Sequence, residues 1–248
     1  MQINLSAVPA HTWFGRALRA PLRLLPRSLV VPILQGPLRG DLWILGSSNH
    51  GCWLGSYELP KQRAIWAAIR PGDIVFDIGA NVGFYTLLAA RGVGSGGRVV
   101  AFEPEPKNVE LLRSHVRINR LSNVEVIPAA VSRDTGPARF QRGGSGATGA
   151  LSTSGELQVD AVSLDDLFAA GRIPAPALIK MDIEGGEHQA LLGGQGLLAR
   201  SRPLLFLATH SPEIHSSCVS LLQSWGYIAE GLAGAALETT DELVARPR

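Results

Sequence analysis

One segment, residues 73–90, constrains the fold of this chain more than any other. Its apolar run 74–76 is β-branched and aromatic, and it ends at the acid Asp77, a pattern that predicts a buried strand. A glycine-containing turn over residues 79–83 follows, and then an apolar helix is predicted over about 82–91. A strand, a glycine turn and a helix N-terminus form the corner at which α/β proteins bind nucleotides. The segment therefore predicts an α/β fold with a nucleotide-type ligand.

The spacing of this turn distinguishes two kinds of cofactor. A dinucleotide site has the pattern G-x-G-x-x-G, with the pyrophosphate at the helix N-terminus. Here Asn81 stands where the middle glycine is expected, and Gly83 comes one residue early after Gly79. Asp77 before the turn would repel a pyrophosphate, but it suits a ligand with a cation and a ribose. We therefore predict that the cofactor is S-adenosyl-L-methionine. There are two alternatives: the site binds a dinucleotide, or the turn serves only helix packing and binds no ligand.

A second acid, Glu103, ends the strand predicted over residues 98–103. It lies 24 residues after Gly79. An acid at this distance can accept hydrogen bonds from both ribose hydroxyls in a nucleotide-binding fold. The alternative is a surface acid that the dipole of the following helix stabilises. Together with the glycine turn, Glu103 favours the ribose role.

Charged residues alternate along a later predicted strand, residues 177–182, and just beyond it. Lys180, Asp182 and Glu184 point to one side of an extended chain. Charges at the carboxyl end of a buried strand are costly unless they are paired or functional, and ligands of such sheets bind at that end. We predict that Asp182 positions or deprotonates the hydroxyl of an acceptor and that Lys180 pairs with it. A purely structural ion cluster is the alternative.

Other candidate site residues lie near the ends of the domain. His210 follows the strand predicted over residues 204–208, where it could act as a general base near neutral pH or be a satisfied polar residue. Tyr57, with His50 and Trp53, precedes the first strand and is predicted to line the methionine or acceptor side.

Composition narrows the class of protein. A chain of 248 residues with a net charge of +2 fits one α/β domain and gives no support for nucleic-acid binding. Cys52 and Cys218 offer neither metal spacing nor a disulfide framework, which predicts a reducing, cytoplasmic location and no metal site. The apolar run 29–34 is too short to cross a membrane and contains Pro32.

The chain divides into an appendage, residues 1–40, and a domain, residues 41–248. Strands and helices alternate over residues 73–127, which predicts a parallel sheet with right-handed crossovers. Residues 131–163 are rich in Gly, Ser and Thr in their middle and predict an inserted hairpin with a long loop. Residues 226–248 predict a final antiparallel hairpin.

The appendage is basic and apolar. Residues 12–39 contain five arginines among leucines and aromatic residues. This pattern fits an extension that packs on the domain or on a second copy of the chain, as in a homodimer. The alternative is a weak surface for anionic lipid.

Four segments together resemble the FkbM-type methyltransferases: residues 53–58, 75–86, 101–104 and 179–187. The resemblance covers about residues 40–245. It implies the class I methyltransferase (Rossmann-like) fold, with a mostly parallel seven-stranded sheet and helices on both faces. It also implies O-methylation of hydroxyls on sugars or secondary metabolites. The family commonly has an acid in or just after strand five, ahead of the His, and this acid is missing here.

The predicted function is therefore S-adenosylmethionine-dependent O-methylation of a small-molecule or glycan acceptor. The alternatives are a non-catalytic S-adenosylmethionine-binding module and an NAD(P)-dependent oxidoreductase. The predicted cofactor-binding residues are Tyr57, Asp77, Gly79, Asn81, Gly83, Glu103 and Asp182. The predicted catalytic residues are Asp182, His210 and Lys180.

Overall fold

A computed structural model describes Trp13, residues 26–143 and residues 149–248. The described chain opens with an antiparallel hairpin of β1 (Val30–Pro32) and β2 (Leu42–Ile44). Trp43 of β2 is fully buried and joins the main core. The hairpin thus crosses the boundary that the sequence suggests at residue 40. Of the predicted lipid or dimer surface over residues 12–39, residues 12 and 14–25 lie outside the described residues.

The remaining elements alternate between strands and helices through most of the chain. The helices are α1 (His50–Leu54), α2 (Leu59–Ala68), α3 (Phe84–Val93), α4 (Pro106–Ile118), α5 (Leu164–Ala169), α6 (Glu187–Leu192), α7 (Gln195–Ser201) and α8 (Pro212–Ser224), with a 3-10 turn at Leu232–Gly234. The strands after β2 are β3 (Ile74–Ile78), β4 (Arg98–Phe102), β5 (Val124–Ile127), β6 (Ala130–Val131), β7 (Gly136–Arg142), β8 (Gly149–Leu151), β9 (Leu157–Val162), β10 (Leu178–Met181), β11 (Leu204–Ala208), β12 (Tyr227–Gly231) and β13 (Glu242–Pro247).

Seven strands form the central sheet, in the order β12-β13-β11-β10-β3-β4-β5. The five strands from β11 to β5 are parallel to their neighbours, whereas β13 is antiparallel to both β11 and β12. The register places Lys180 of β10 opposite Asp77 of β3. The predicted fold class, a mostly parallel seven-stranded sheet with an antiparallel C-terminal hairpin, is confirmed.

Helices cover both faces of this sheet. Alternate residues of β3 show why: Val75 packs into the core with α2 and α3, while Phe76 packs into the core with α5 to α8. Strands buried on both faces need apolar residues at nearly every position, which explains the continuous apolar runs in the sequence.

Residues 130–162 contain more structure than the predicted hairpin. Strands β6, β9, β7 and β8 form a second sheet in that order, because β9 returns to pair antiparallel with β7 and parallel with β6. Phe140, Val159 and Ala161 form its buried side. Residues 144–148, in the predicted loop, lie outside the described residues.

The helical region after β10 is divided into α6 and α7. Gly193 lies at the break, where a Cβ atom would come 2.1 Å from the carbonyl oxygen of Ser132. Asp165 then accepts hydrogen bonds from the amides of Gly196 and Leu197 at 2.8 and 2.7 Å, which stabilises the start of α7. In the part of the chain that the structure describes, no helix combines the length and apolarity needed to cross a bilayer.

Candidate active site

A cavity of about 460 Å³ lies at the carboxyl ends of the parallel strands. Its walls are the turns after β3, β4, β10 and β11, together with α1 and the β7–β8 pair. Ligands of open α/β sheets bind at this edge, because loops diverge there and leave a crevice. Most of the sequence-predicted site residues line this cavity, but Asp77, His50 and Trp53 do not.

The turn after β3 is held tightly between its neighbours. The amides of Gly79 and Ala80 both donate to the carbonyl of Phe102, at 3.0 and 2.9 Å. Gly79 has φ 75°, and a Cβ atom there would lie 1.9 Å from the carbonyl oxygen of Asp182. Asn81 also has a positive φ, and its side chain accepts a hydrogen bond from Val82 N at 2.7 Å. Glycine is therefore required at position 79 by conformation and by space.

Glu103 follows β4 and faces the cavity from a buried position. Its carboxylate accepts hydrogen bonds from the amides of Asn81 and Glu105, at 2.8 and 2.9 Å, and from the Asn108 side chain at 3.3 Å. Burial raises the pKa of Glu103, although these hydrogen bonds and Lys180 oppose the rise. Because a carboxylate has about four acceptor positions, Glu103 can still accept a further hydrogen bond from a ligand.

Asp77 lies beneath the turn rather than in the cavity lining. Its side chain is 1% exposed. It accepts a hydrogen bond from Thr86 Oγ1 at 2.6 Å, and Lys180 Nζ lies 3.2 Å from its other oxygen. Lys180 also donates to the carbonyl of Gly79 at 2.8 Å. This geometry favours an indirect role for Asp77, in place of the predicted direct contact with the cofactor, and it makes Asp77, not Asp182, the ion-pair partner of Lys180.

Lys61 of α2 is the centre of a buried ion network that the sequence did not reveal. Its side chain is 2% exposed, and Nζ lies 2.9 Å from Asp182, 2.7 Å from Glu242 and 3.6 Å from Glu58. Burial alone would lower the pKa of Lys61, but the three carboxylates reverse this effect and raise it. No pattern in the sequence distinguishes this lysine, because its two nearest partners, Asp182 and Glu242, lie 121 and 181 residues away.

His210 is surrounded by carboxylates. Nδ1 lies 2.8 Å from Glu187, and Nε2 lies 3.3 Å from Asp182 and 3.6 Å from Glu184. The hydrogen bonds to Asp182 and Glu187 raise the pKa of His210 to about 10. An imidazole with this pKa is already protonated at neutral pH and cannot accept another proton. The geometry therefore speaks against the predicted general-base role of His210.

Asp182 is held as a carboxylate. One oxygen contacts His210 and the other accepts from Lys61 at 2.9 Å. Burial would raise the pKa of Asp182, but His210, Lys180 and Lys61 together hold it far below its usual range. Such a carboxylate is a weak base, which suits orientation and charge stabilisation better than the removal of a proton.

Two groups of side chains approach closely enough to hold a cation. They are Asp182, Glu184 and His210, and Glu58, Asp182 and Glu242. In the second group the ammonium of Lys61 supplies the positive charge, and in the first group the protonated ring of His210 supplies it. Each group therefore contains one positive charge that the protein itself supplies, and both groups remain negative overall.

Aromatic and basic side chains close the other walls. Tyr57 lines the cavity and packs edge-on against Phe84, with ring centroids 5.3 Å apart. On the side of the second sheet, Phe140 and Arg142 reach the cavity, and Arg142 lies 3.1 Å from Glu105. Sequence reasoning assigned no role to Phe140, Arg142 or Glu105; the glycine-rich tract beside β7 was the one signal that this region adjoins the site.

The chain is similar in sequence to known methyltransferases. A family model described as the methyltransferase FkbM domain matches residues 77–229, which is more than half of the chain. The hexuronic acid methyltransferase AglP of Haloferax volcanii is 29% identical over 135 residues, covering 53% of this chain and 54% of that protein. The 31-O-demethyl-FK506 methyltransferase FkbM of Streptomyces tacrolimicus is 30% identical over 159 residues, covering 50% and 60%.

Among solved structures, the methyltransferase FkbM of Methylobacillus flagellatus KT aligns with a TM-score of 0.53 at 19% identity, covering 80% of this chain and 55% of that one. This likeness concerns the fold. The chain spans a little over half the length of the relatives that it matches.

Proposed function

Because the chain belongs to the FkbM methyltransferase family, we propose that it transfers the methyl group of S-adenosyl-L-methionine to a hydroxyl of a sugar-containing or secondary-metabolite acceptor. The family membership rests on the match over residues 77–229. Family membership does not specify the acceptor. That the methyl group goes to an oxygen, and that the acceptor is a sugar or a secondary metabolite, is therefore our proposal.

The observation that carries the proposal is the pairing of a glycine turn with Glu103 at neighbouring strand ends. Gly79 lets the turn pack against the Asp182 carbonyl at the cavity wall, and Glu103 is fixed by the amides of Asn81 and Glu105 so that its carboxylate faces the cavity. This is the arrangement that binds a ribose in nucleotide folds. We assign ribose recognition to Glu103, and backbone contact with the cofactor to Gly79, Asn81 and Gly83.

The charge of the cavity also suits this cofactor. Its lining contains seven carboxylates (Glu58, Glu103, Glu105, Asp182, Glu184, Asp241 and Glu242) against three cations (Arg142, Lys180 and His210). A negative cavity attracts a ligand with a sulfonium and an ammonium group and repels the pyrophosphate of a dinucleotide. This imbalance supports S-adenosylmethionine over NAD(P).

When bound, the cofactor supplies an already activated methyl group, so the protein has chiefly to align the acceptor and exclude water. Asp182 is proposed to orient the acceptor hydroxyl or the amino group of the cofactor. His210 holds Asp182 in place, and Lys180 fixes the glycine turn through Gly79 and Asp77. Tyr57 forms part of the wall on the methionine side.

The class of acceptor is inferred from the relatives. One is named for a hexuronic acid, which is a sugar, and one for an O-demethyl form of FK506. The wall formed by Phe140 and Arg142 is where we expect selection of the acceptor, because the second sheet lies outside the cofactor-binding turns.

Calorimetric titration with S-adenosylhomocysteine tests the proposal. Saturable binding is expected for the unmodified chain and for Glu110→Gln, an exposed residue of α4, and much weaker binding is expected for Glu103→Gln. NADH should give no saturable heat. Absence of binding at high micromolar S-adenosylhomocysteine, or preferential binding of NADH, would overturn the assignment.

A further inference from the structure

Methylation of a hydroxyl requires a proton acceptor at the site. The two residues that the sequence predicts for this task, His210 and Asp182, are already engaged: His210 is protonated, and both oxygens of Asp182 are in ionic contacts. Another group in the cavity is needed for efficient transfer to a neutral hydroxyl.

Glu242 occupies a suitable position. It begins β13, the antiparallel strand, and is paired with Ala208 at the end of β11, so it reaches the same edge of the sheet as Asp182. Its side chain is 26% exposed and lines the cavity. Because β13 runs opposite to its neighbours, its first residue lies where the parallel strands end.

The two carboxylate oxygens of Glu242 differ in their surroundings. Oε1 accepts a hydrogen bond from Lys61 at 2.7 Å, which fixes the orientation of the group. Among the described residues, Oε2 makes no hydrogen bond to the protein. The Glu242 amide is bonded to Thr240 Oγ1 at 3.1 Å, which holds the start of the strand.

The neighbours of Glu242 also make it a stronger base than Asp182. Burial raises the pKa of Glu242, Lys61 opposes the rise, and the negative charges of Asp182 and Glu58 support it. Tyr85 donates to Glu58 at 2.9 Å, and burial together with the charges of Glu58 and Glu242 raises its pKa. His210, Asp241 and Lys180 also line this part of the cavity. The pKa of Glu242 is therefore raised overall, whereas the pKa of Asp182 is lowered.

We infer that Glu242 is the catalytic base and that its Oε2 accepts the proton of the acceptor hydroxyl. This inference rests on the proposed function. The hydroxyl oxygen forms its bond to the methyl carbon, its proton passes to Glu242, and the electron pair of the broken sulfur–carbon bond stays on sulfur. Lys61 is then a positioning residue, because it holds Oε1 and leaves Oε2 directed to the substrate.

A turnover experiment tests the base directly. The full chain is given S-adenosyl-L-methionine with a labelled methyl group and methyl β-D-glucopyranoside as the hydroxyl probe. Glu242→Gln should lower kcat by about 10²–10⁴-fold while the KM for the cofactor changes little. The matched control is Glu238→Gln, an exposed glutamate outside the cavity lining, which should retain the unmodified kcat. An unchanged kcat in Glu242→Gln would overturn the inference.

A second measurement does not depend on turnover. In the S-adenosylhomocysteine complex of the ¹³C-glutamate-labelled chain, the carboxyl signal that disappears in Glu242→Gln is titrated by NMR. A midpoint above the ordinary value of 4.5 supports the inference, and a midpoint at or below it contradicts the inference. Failure of the unmodified chain to bind S-adenosylhomocysteine would instead count against the proposed function itself.

Discussion

The two ends of the cavity are built in different ways. At the end formed by β3 and β4, Glu103 is held by backbone amides and by Asn108, all within 22 residues of it along the chain. At the end formed by β10, β11 and β13, Lys61 binds Asp182 and Glu242, which lie 121 and 181 residues away. The first end depends on local turns, and the second depends on charges that only the complete fold brings together.

This difference has a chemical meaning. Backbone amides cannot titrate, so at the β3–β4 end the groups that hold Glu103 keep their charge at every pH, and only the carboxylate of Glu103 itself titrates there. The β10–β13 end consists of ionised side chains that change one another's pKa, so its properties depend on pH and on each member of the network. Binding of an invariant cofactor fits the first arrangement, and proton transfer fits the second.

The largest expected effect comes from the position that joins the two ends. Gly79→Ala should reduce the free energy of unfolding by roughly 3–5 kcal/mol, because it combines a positive φ with a clash against the Asp182 carbonyl. Gly72→Ala is the matched control, since Gly72 has φ 90° and open space around the added Cβ. Its loss should be about 1–2 kcal/mol. Urea unfolding measures both, and equal losses would refute the proposed close contact.

The second-largest loss of stability is expected when Lys61, the buried cation of the β10–β13 end, is removed. Lys61→Met is expected to cost about 3 kcal/mol at neutral pH, because three partly buried carboxylates lose their shared partner. The loss should shrink at acid pH, because Glu242, whose pKa is raised, becomes protonated there and no longer needs the cation. Lys107→Met, at an exposed position of α4, is the control and should be nearly neutral. A loss in Lys61→Met that does not vary with pH would argue for packing rather than charge.

A third experiment compares the two ends by ligand affinity. Glu103→Gln should weaken S-adenosylhomocysteine binding by about 10–100-fold, the value of a charge-assisted hydrogen bond of ~1.5–3 kcal/mol. Asp182→Asn should reduce turnover more than it reduces this affinity. Titration calorimetry and initial rates measure the two effects. Loss of affinity in Asp182→Asn as great as in Glu103→Gln would remove the distinction between the ends.

The smallest effect is expected at His210. Its folded-state pKa of about 10 lies above the ordinary value of 6.5, so its ion pairs contribute full stability below pH 6.5 and lose it as the pH rises through about 10. His210→Gln should therefore cost ~1 kcal/mol near pH 6 and progressively less towards pH 10. NMR titration of the ring checks the pKa directly. A midpoint near 6.5 would mean that the carboxylates around it do not act as described.

Sequence reasoning succeeded where the structure is local. The strand, turn and helix around Gly79 and the acid Glu103 follow from residue types at fixed spacings, and the parallel sheet follows from the alternation of elements. It could not identify Lys61, because a lysine among the polar residues of a helix carries no sign of burial. The state of His210 was equally hidden, since its pKa depends on Asp182 and Glu187, which fold against it from the segment between β10 and α6.

The buried position of Asp77 shows a third limit. Its position at a strand end was predicted correctly, but the register that places Lys180 opposite it, and the reach of Thr86 from α3, are properties of the folded sheet. The pattern of the sequence indicates which residues meet at an edge. Which of them face the ligand depends on side-chain packing, which the pattern does not encode.

The distance between Lys61 and Glu242 along the chain also bears on how the protein is made. Glu242 lies 181 residues after Lys61, so at ~5–20 residues per second a ribosome adds it roughly 10–40 seconds later. During that interval the nascent chain carries an ammonium group without one of its carboxylate neighbours, although the segment around Gly79 and Glu103 has already emerged. Newly synthesised molecules should therefore contain the residues of the β3–β4 turns before they can complete the ion network around Lys61.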